Sequence, residues 1–328
     1  MEIALIRSYT DKPWRSPETY QLIEDSLAEK WRVESINTRS PETLFGFLAE
    51  LRREHTEGVF VFNIAEYLDE KKREGFIPGL LDEWNTPHLG SGADVVVLGL
   101  DKGKTKELLI ENRIPTPRYG VVDKREADIR NLAEGAGYPL MVKPIWEGGH
   151  IGISDDSIVY DHASLDRAVK RILDDHHQPA LVEEYIGGNE MREFSVGIID
   201  AETRLFTPVE IDYEAMDVRM PILSHEAAVK DLERIKLVQE AETRDVIIDL
   251  AERTFVAMGA RDYSRVDMRM NQTGCYVLEI NVMPGLGPHS FLPEAAQAIH
   301  ALEYNRLIQK LAENSMKRFR RKPESVVG

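Results

Sequence analysis

Two carboxylates and an amide stand at a spacing that brings them together. Asp267 lies in Arg265-Val266-Asp267-Met268-Arg269-Met270, and Glu279 and Asn281 lie in Cys275-Tyr276-Val277-Leu278-Glu279-Ile280-Asn281. Two β-rich runs around the polar turn Asn271-Gln272-Thr273-Gly274 predict a hairpin. Side chains alternate faces along a strand. Val266, Met268 and Met270 are therefore expected on one face with Tyr276, Leu278 and Ile280. Arg265 and Asp267 are expected on the other, with Glu279 and Asn281. A three-residue loop, Gln272 to Gly274, sets Asp267 opposite Glu279 and Arg265 opposite Asn281. Opposed carboxylates, with Cβ atoms about 4.5–5.5 Å apart, repel, and a bound cation removes that penalty. Two carboxylates and an amide oxygen are hard ligands of the kind Mg²⁺ takes beside nucleotide phosphates. An exposed polar face, or a slipped register, is the alternative.

The chain leaves this hairpin through Val282-Met283-Pro284-Gly285-Leu286-Gly287-Pro288-His289-Ser290. A rigid, glycine-punctuated loop of this kind brings backbone N–H groups to an anion. Upstream, Lys143 ends the apolar run Leu140-Met141-Val142. A lysine there either snorkels from the core edge or points into a cleft as a charge for phosphate. The next loop, Glu147-Gly148-Gly149-His150-Ile151-Gly152, can fold over phosphates. It lacks the Lys-Ser/Thr and helix of a Walker A loop. Glu183-Glu184-Tyr185-Ile186 ends another strand, whose backbone either pairs with an adenine edge or is an exposed acidic strand end. His150 stands between a contact with substrate or phosphate and an exposed loop histidine. His225 and Glu226 read as a surface loop, and His176-His177 as a solvated helix end.

These residues need several lobes to position them. The chain has 328 residues, 42% of them hydrophobic, and a net charge of −16. That length suits two or three lobes, and that charge disfavours nucleic acid and anionic membranes as partners. No apolar run is long enough to span a bilayer. The opening residues read as a strand rather than a secretion signal. Cys275 is the single cysteine, which excludes an internal disulfide and suits the cytoplasm. Ile3–Ile6 and Gly58–Asn63 read as strands. The trios Ser16-Pro17-Glu18 and Ser40-Pro41-Glu42 open helices. This β-α-β-α-β order predicts an open parallel sheet over residues 1–97, with ligands at the strand carboxyl ends near Arg7–Arg15 and Asn63–Glu66. The first strand is not followed by Gly-x-Gly-x-x-Gly, which argues against a nicotinamide dehydrogenase. A small α+β lobe is expected over 98–190 and a second α+β lobe over 191–316, where Leu232–Met258 has a long helical pattern. Residues 317–328 form a basic tail.

In this order the motifs resemble the D-alanine–D-alanine ligase family of ATP-grasp enzymes, from about Leu80 to Ala296. The matching pieces are Gly90-Ser91-Gly92, Asp101-Lys102 with Thr105-Lys106, Ile114-Pro115-Thr116-Pro117, Val142-Lys143-Pro144, Glu147-Gly148, Glu183-Glu184-Tyr185-Ile186, Arg192-Glu193-Phe194, Arg265-Val266-Asp267, Leu278-Glu279-Ile280-Asn281, Pro284-Gly285 and His289-Ser290. The resemblance implies an ATP-grasp fold, ATP with two Mg²⁺ (or Mn²⁺) ions, small-molecule substrates and a homodimer. It implies that Lys102, Lys143 and the loop Glu147-Gly148-Gly149 meet the phosphates. Glu183, Glu184, Tyr185, Ile186 and Glu193 would hold adenosine, and Asp267, Glu279 and Asn281 the metal. Arg265 and Gly285 would stabilise transferring phosphoryl and oxyanion charge, with His150 beside them. Ser290 and Phe291 would meet the second substrate.

The departures concern the first substrate. The family's Gly-rich start carries a glutamate for the first D-alanine's ammonium; here Arg7–Arg15 has no glycine, and Glu18 is the loose candidate. Gly149-His150 stands where serine follows Glu-Gly. Asp212-Tyr213-Glu214-Ala215 resembles part of the family's lid, but Met216-Asp217 replaces the Lys-Tyr that follows. The expectation is a carboxylate–amine ligase working through an acylphosphate on a different first acid, such as another amino acid or a small carboxylic acid. A true D-alanine–D-alanine ligase and a non-catalytic nucleotide-binding regulator are the alternatives.

Overall fold

The computed structural model describes residues 1–320 except 11, 56, 125–134, 136 and 217. Strands β1 (Glu2–Ile6), β2 (Val33–Ile36) and β3 (Val59–Phe62) form a parallel sheet of order β2-β1-β3. Its helices Pro17–Ala28 and Pro41–Glu54 start at the two Ser-Pro-Glu trios, where Ser16 and Ser40 accept hydrogen bonds from the backbone N–H of Thr19 and Thr43. Alternation splits β1 between two cores: Ile3 and Leu5 pack with Tyr20, Ile23 and Leu27, while Ala4 and Ile6 pack with Leu44 and Leu48. Both faces are buried, as a parallel sheet requires. The short hairpin of β4 (Tyr67–Asp69) and β5 (Glu74–Phe76) follows, then helices Ile77–Glu83, Ala93–Leu100 and Lys102–Glu111.

The second sheet has the order β6-β9-β7-β8 and is antiparallel: β6 (Tyr119–Val122), β7 (Leu140–Pro144), β8 (Ile158–Val159) and β9 (Ala180–Glu184). The amphipathic segment from Asp161 becomes helix His162–Arg171, capped by Asp161, which packs Leu165, Ala168 and Val169 on this sheet.

The third sheet runs β12-β11-β10-β13-β14, from β10 (Arg192–Ile199), β11 (Leu205–Ile211), β12 (Ile235–Leu237), β13 (Tyr263–Asn271) and β14 (Gly274–Asn281). The helical pattern expected from Leu232 starts only at Ala241, because residues 235–237 are drawn onto the sheet edge as β12. Helix Tyr304–Arg320 returns to the first sheet and places Leu307, Ile308 and Leu311 in the core of Tyr20 and Leu27. Lys317–Arg320 are thus the last turn of a helix rather than a separate tail, and Arg318 ion-pairs with Asp262 at 2.9 Å; residues 321–328 lie outside the described residues. No described helix is long and apolar enough to cross a membrane.

Candidate active site

The hairpin pairs Asp267 with Glu279 and Arg265 with Asn281, as expected, but by a different route. The turn has two residues, since Asn271 pairs with Gly274, and a bulge between Asp267 and Met268 absorbs one extra residue, Leu278. Up to the bulge the faces therefore differ from simple alternation. Val277 and Cys275, not Leu278 and Tyr276, share the buried face with Met268 and Val266. Bulges re-aim side chains where a strand must serve a site, and this one returns Glu279 and Asn281 to the polar face.

On that face Asp267 is saturated. Its Oδ1 accepts from Ser195 Oγ at 2.7 Å and Arg265 Nε at 2.9 Å. Its Oδ2 accepts from Arg265 Nη2 at 2.7 Å and Asn281 Nδ2 at 2.9 Å. Glu279 lies 3.4 Å from Lys102 Nζ, which also donates to the Glu147 carbonyl. Burial pushes the Glu279 carboxyl upward, but Lys102, Lys143, His150 and Arg265 hold it below the ordinary range. The donor set is hard oxygen and suits Mg²⁺ or Mn²⁺. Among the described residues there is no group of three or more His, Cys, Asp or Glu able to cage a metal. Phosphate and water would have to complete an octahedron, the arrangement Mg²⁺ takes at nucleotides.

A second cluster lies behind it. Lys143 and Lys106 share one buried acid, Glu183, at 2.6 and 2.7 Å. Lys106 also donates to Thr116 Oγ1 at 2.7 Å, which in turn donates to the Val277 carbonyl. Burial raises the Glu183 carboxyl and the two ammonium groups pull it down further, to about 2. Burial lowers both lysines; the pull of Glu183 lifts Lys143 above the ordinary range and leaves Lys106 below it. Two cations against one acid leave a positive charge, which suits a polyphosphate. Glu183 is thus a holder of lysines rather than an open strand end. Glu193 is likewise committed: Arg269 Nε donates to it at 2.5 Å and Tyr213 Oη at 2.7 Å. Arg269 stacks on Tyr185 and donates to the Pro221 carbonyl at 2.6 Å.

A cavity of about 1250 Å³ joins the three sheets. Lys102, Glu147, Gly148, Gly149 and His150 line it from the second lobe. Arg265, Glu279, Asn281, Gly285, Ser290 and Phe291 line it from the third, and Glu18 from the first. Lys143, Glu183, Glu184, Tyr185, Ile186, Glu193 and Asp267 are not in its wall. Glu184 is turned outward onto Arg118 at 3.2 Å. Ser290 starts helix Phe291–His300 without capping it, so its hydroxyl stays free for a ligand. Phe291 is buried beneath Met216, Leu223 and Ala227 and carries Arg265 on its ring, so it ties the segment that resembles the family's lid to the site.

The lid is where sequence reading missed most. His225 is no plain surface residue: its Nδ1 meets the Gly149 carbonyl at 3.1 Å. His150 adopts a left-handed φ of 58° after Gly149 at 61°, and its Nε2 lies 3.3 Å from Glu233. A histidine at positive φ is uncommon and such strain gathers at functional sites. Burial lowers the His150 imidazole, but the Glu233 bond and charge raise it above the ordinary range. Lys106, Tyr213 and Arg269 stand in motifs the sequence shows, but their roles in these ion pairs and hydrogen bonds were not legible there, and Glu233 was not singled out at all. The one available signal was the i, i+4 spacing of Lys102 and Lys106 on a single helix face.

Residues 108–313 match the family model of the D-Ala D-Ala ligase C-terminus. The chain belongs to the D-alanine–D-alanine ligase family. It is therefore an ATP-grasp ligase of the carboxylate–amine class, which forms C–N bonds and releases ADP. A D-alanine–D-alanine ligase of Chromohalobacter salexigens is 32% identical over 74% of this chain and 73% of the relative. An uncharacterised protein of Sinorhizobium fredii is also 32% identical, over 79% of this chain and 75% of the relative. The structure of the Bacillus anthracis D-alanine–D-alanine ligase complexed with ATP covers 98% of this chain and 99% of its own, with a TM-score of 0.72 and 21% identity. That likeness shows the ATP-grasp fold.

Proposed function

We propose that this ligase joins a small carboxylic acid, other than D-alanine, to the amine of an amino acid. The observation that carries the reading is the convergence of Arg265, Glu279 and Asn281 with Lys102 and the Gly148-Gly149 loop on one cavity, beside a first-lobe loop of altered chemistry. ATP supplies a phosphoryl group that turns the carboxylate into an acylphosphate, with Mg²⁺ ions neutralising charge. Lys102, with Lys143 and Lys106 behind it, provides the positive field for the phosphates. Arg265, aimed by its double contact with Asp267, stabilises the phosphoryl group in transfer and then the oxyanion formed when the amine attacks. The Gly285 backbone N–H adds a donor there. Ser290 holds the carboxylate of the amine substrate. Asp267, Glu279 and Asn281 would hold the metal, Asp267 by exchanging one of its present hydrogen bonds for the ion, and His150 with His225 fastens the lid over the phosphate loop. The division into lobes at about 97 and 190 and a homodimeric assembly belong to the same reading; sedimentation checks the latter.

The experiment is ADP and phosphate release with product mass over D-alanine and a panel of acids, with mixed amino acids as amine. Release with acids other than D-alanine supports the proposal. The names of the curated relatives favour a second reading, a true D-alanine–D-alanine ligase. Strong turnover with D-alanine alone establishes it instead.

A further inference from the structure

Among the described residues, two cations on the first-lobe side of the cavity have no partner, Lys71 and Lys12, and Lys71 is exposed to solvent. Arg7, Arg15, Arg39, Arg73, Lys102 and Arg265 line the wall, and each has a carboxylate in ion-pair contact. Lys12 lines it too, partly buried, and its Nζ meets no carboxylate and no hydrogen-bond acceptor among the described residues. The ring of Trp14 lies 5.6 Å from it. Burial and then Arg15 lower the Lys12 ammonium, and Glu66, Glu70 and Glu147 offset this only in part.

Its position is specific. A methyl group built on Gly149 would sit 3.0 Å from Lys12 Nζ and 3.3 Å from Trp14 Cζ2. One built on Gly285 would sit 2.8 Å from Trp14 Cβ. Lys12 and Trp14 therefore stand between the phosphate loop and the Gly285 turn, on the wall of the cavity that the carboxyl to be activated would enter. Among the described residues, the acids nearest this corner are committed to Arg15 or exposed. Glu66 and Glu70 both bind the Arg15 guanidinium, and Glu18 is exposed on its helix. Among the described residues, the corner thus offers an ammonium group where a substrate ammonium would need a free carboxylate.

We propose that the acid substrate is recognised through a second anionic group, a carboxylate or phosphate near the carboxyl that reacts, bound by Lys12 against Trp14. This rests on the ligase reading above. It makes the preferred acid a dicarboxylate or a phosphorylated acid and disfavours α-ammonium acids.

The test uses the full chain with Mg²⁺ and ATP, mixed amino acids as amine, and five acids: succinate, glutarate, 3-phosphoglycerate, butyrate and D-alanine. The expected result is ADP release with at least one dianionic acid, at kcat/KM at least tenfold above butyrate and D-alanine. Lys12→Gln should raise KM for that acid at least tenfold more than it lowers kcat or shifts KM for ATP, and Lys12→Arg should restore most of the loss. Thermal shift without ATP should show the same acid stabilising wild type and Lys12→Arg but not Lys12→Gln; circular dichroism verifies that each variant is folded. Succinate or glutarate against 3-phosphoglycerate tells carboxylate from phosphate. Equal use of butyrate or D-alanine overturns the inference and leaves the ligase reading standing. A Lys12→Gln effect confined to KM for ATP also overturns it, by assigning Lys12 to the nucleotide. ATP binding without ADP release from any acid overturns both.

Discussion

Replacing Glu183 by glutamine leaves two lysines in the interior with no acid between them. Glu183 falls from an ordinary 4.5 to about 2 under Lys106 and Lys143, which corresponds to ~3 kcal/mol of stabilisation at neutral pH. Removing one partner of a buried ion pair costs about 3–5 kcal/mol by general experience, so both routes agree on ~3. A chain of this length melting as one unit has an unfolding entropy of roughly 0.7 kcal/mol/K, which turns that loss into a fall in Tm of about 4 °C. Scanning calorimetry at pH 7.5 and low salt, without nucleotide, reads it. Lys106→Met is the control: it leaves the 2.6 Å Lys143–Glu183 pair one-to-one and should cost less than half as much. The pH dependence has a fixed sign. A carboxyl depressed in the fold stabilises above its unfolded value and loses that contribution as pH falls, so the Glu183→Gln deficit should shrink between pH 4.5 and 2. A Tm within 1 °C of wild type, or a larger cost for Lys106→Met, refutes the idea that Glu183 holds the two lysines together.

Three further outcomes follow from the geometry. Arg265→Met should lower kcat about 10²–10³-fold with KM for ATP nearly unchanged; an equal rise in KM for ATP would make Arg265 a ground-state binding residue. Gly285→Ala places a methyl 2.8 Å from Trp14 Cβ and Cγ, the rigid root of that side chain, and should cost about 100-fold in kcat/KM through misplacement with little change in Tm; unaltered kinetics would show that the turn yields freely. His150 is raised above 6.5 by Glu233, so its stabilisation of the lid is complete below pH 6.5 and lost as pH rises through the raised value. Hydrogen exchange over residues 218–235 should speed up between pH 6 and 9 beyond the intrinsic rate, and His150→Gln should remove that excess; a profile identical in both proteins contradicts it.

The parts of this molecule that were legible in its sequence are local. Ser16 and Ser40 cap helices because Ser-Pro-Glu is a complete N-terminal signal within three residues. The hairpin partners were right although the turn was counted one residue too long, because Leu278 in the bulge makes up the difference. What was not legible depends on distant segments. Glu193 and Arg269 are 76 positions apart, and their pairing with Tyr213 is set by strand order, not by any local pattern. The Lys106–Glu183 bond joins a helix to a strand 77 positions away. His225 looked like surface because nothing near it in the chain shows that the phosphate loop lies against it. Nothing in the sequence marks Lys12, because only the fold sets its ammonium against Trp14 and Gly149 while Glu66 and Glu70 bind Arg15.

The central claim is that this protein activates a carboxylate by phosphorylating it. The direct measurement is isotope transfer with the acid that the release panel selects, labelled with ¹⁸O in its carboxyl group. An acylphosphate route cleaves the bond between the acyl carbon and one carboxyl oxygen, so one ¹⁸O should appear in each inorganic phosphate, with one ADP per amide formed. Unlabelled phosphate released alongside the amide would contradict the account.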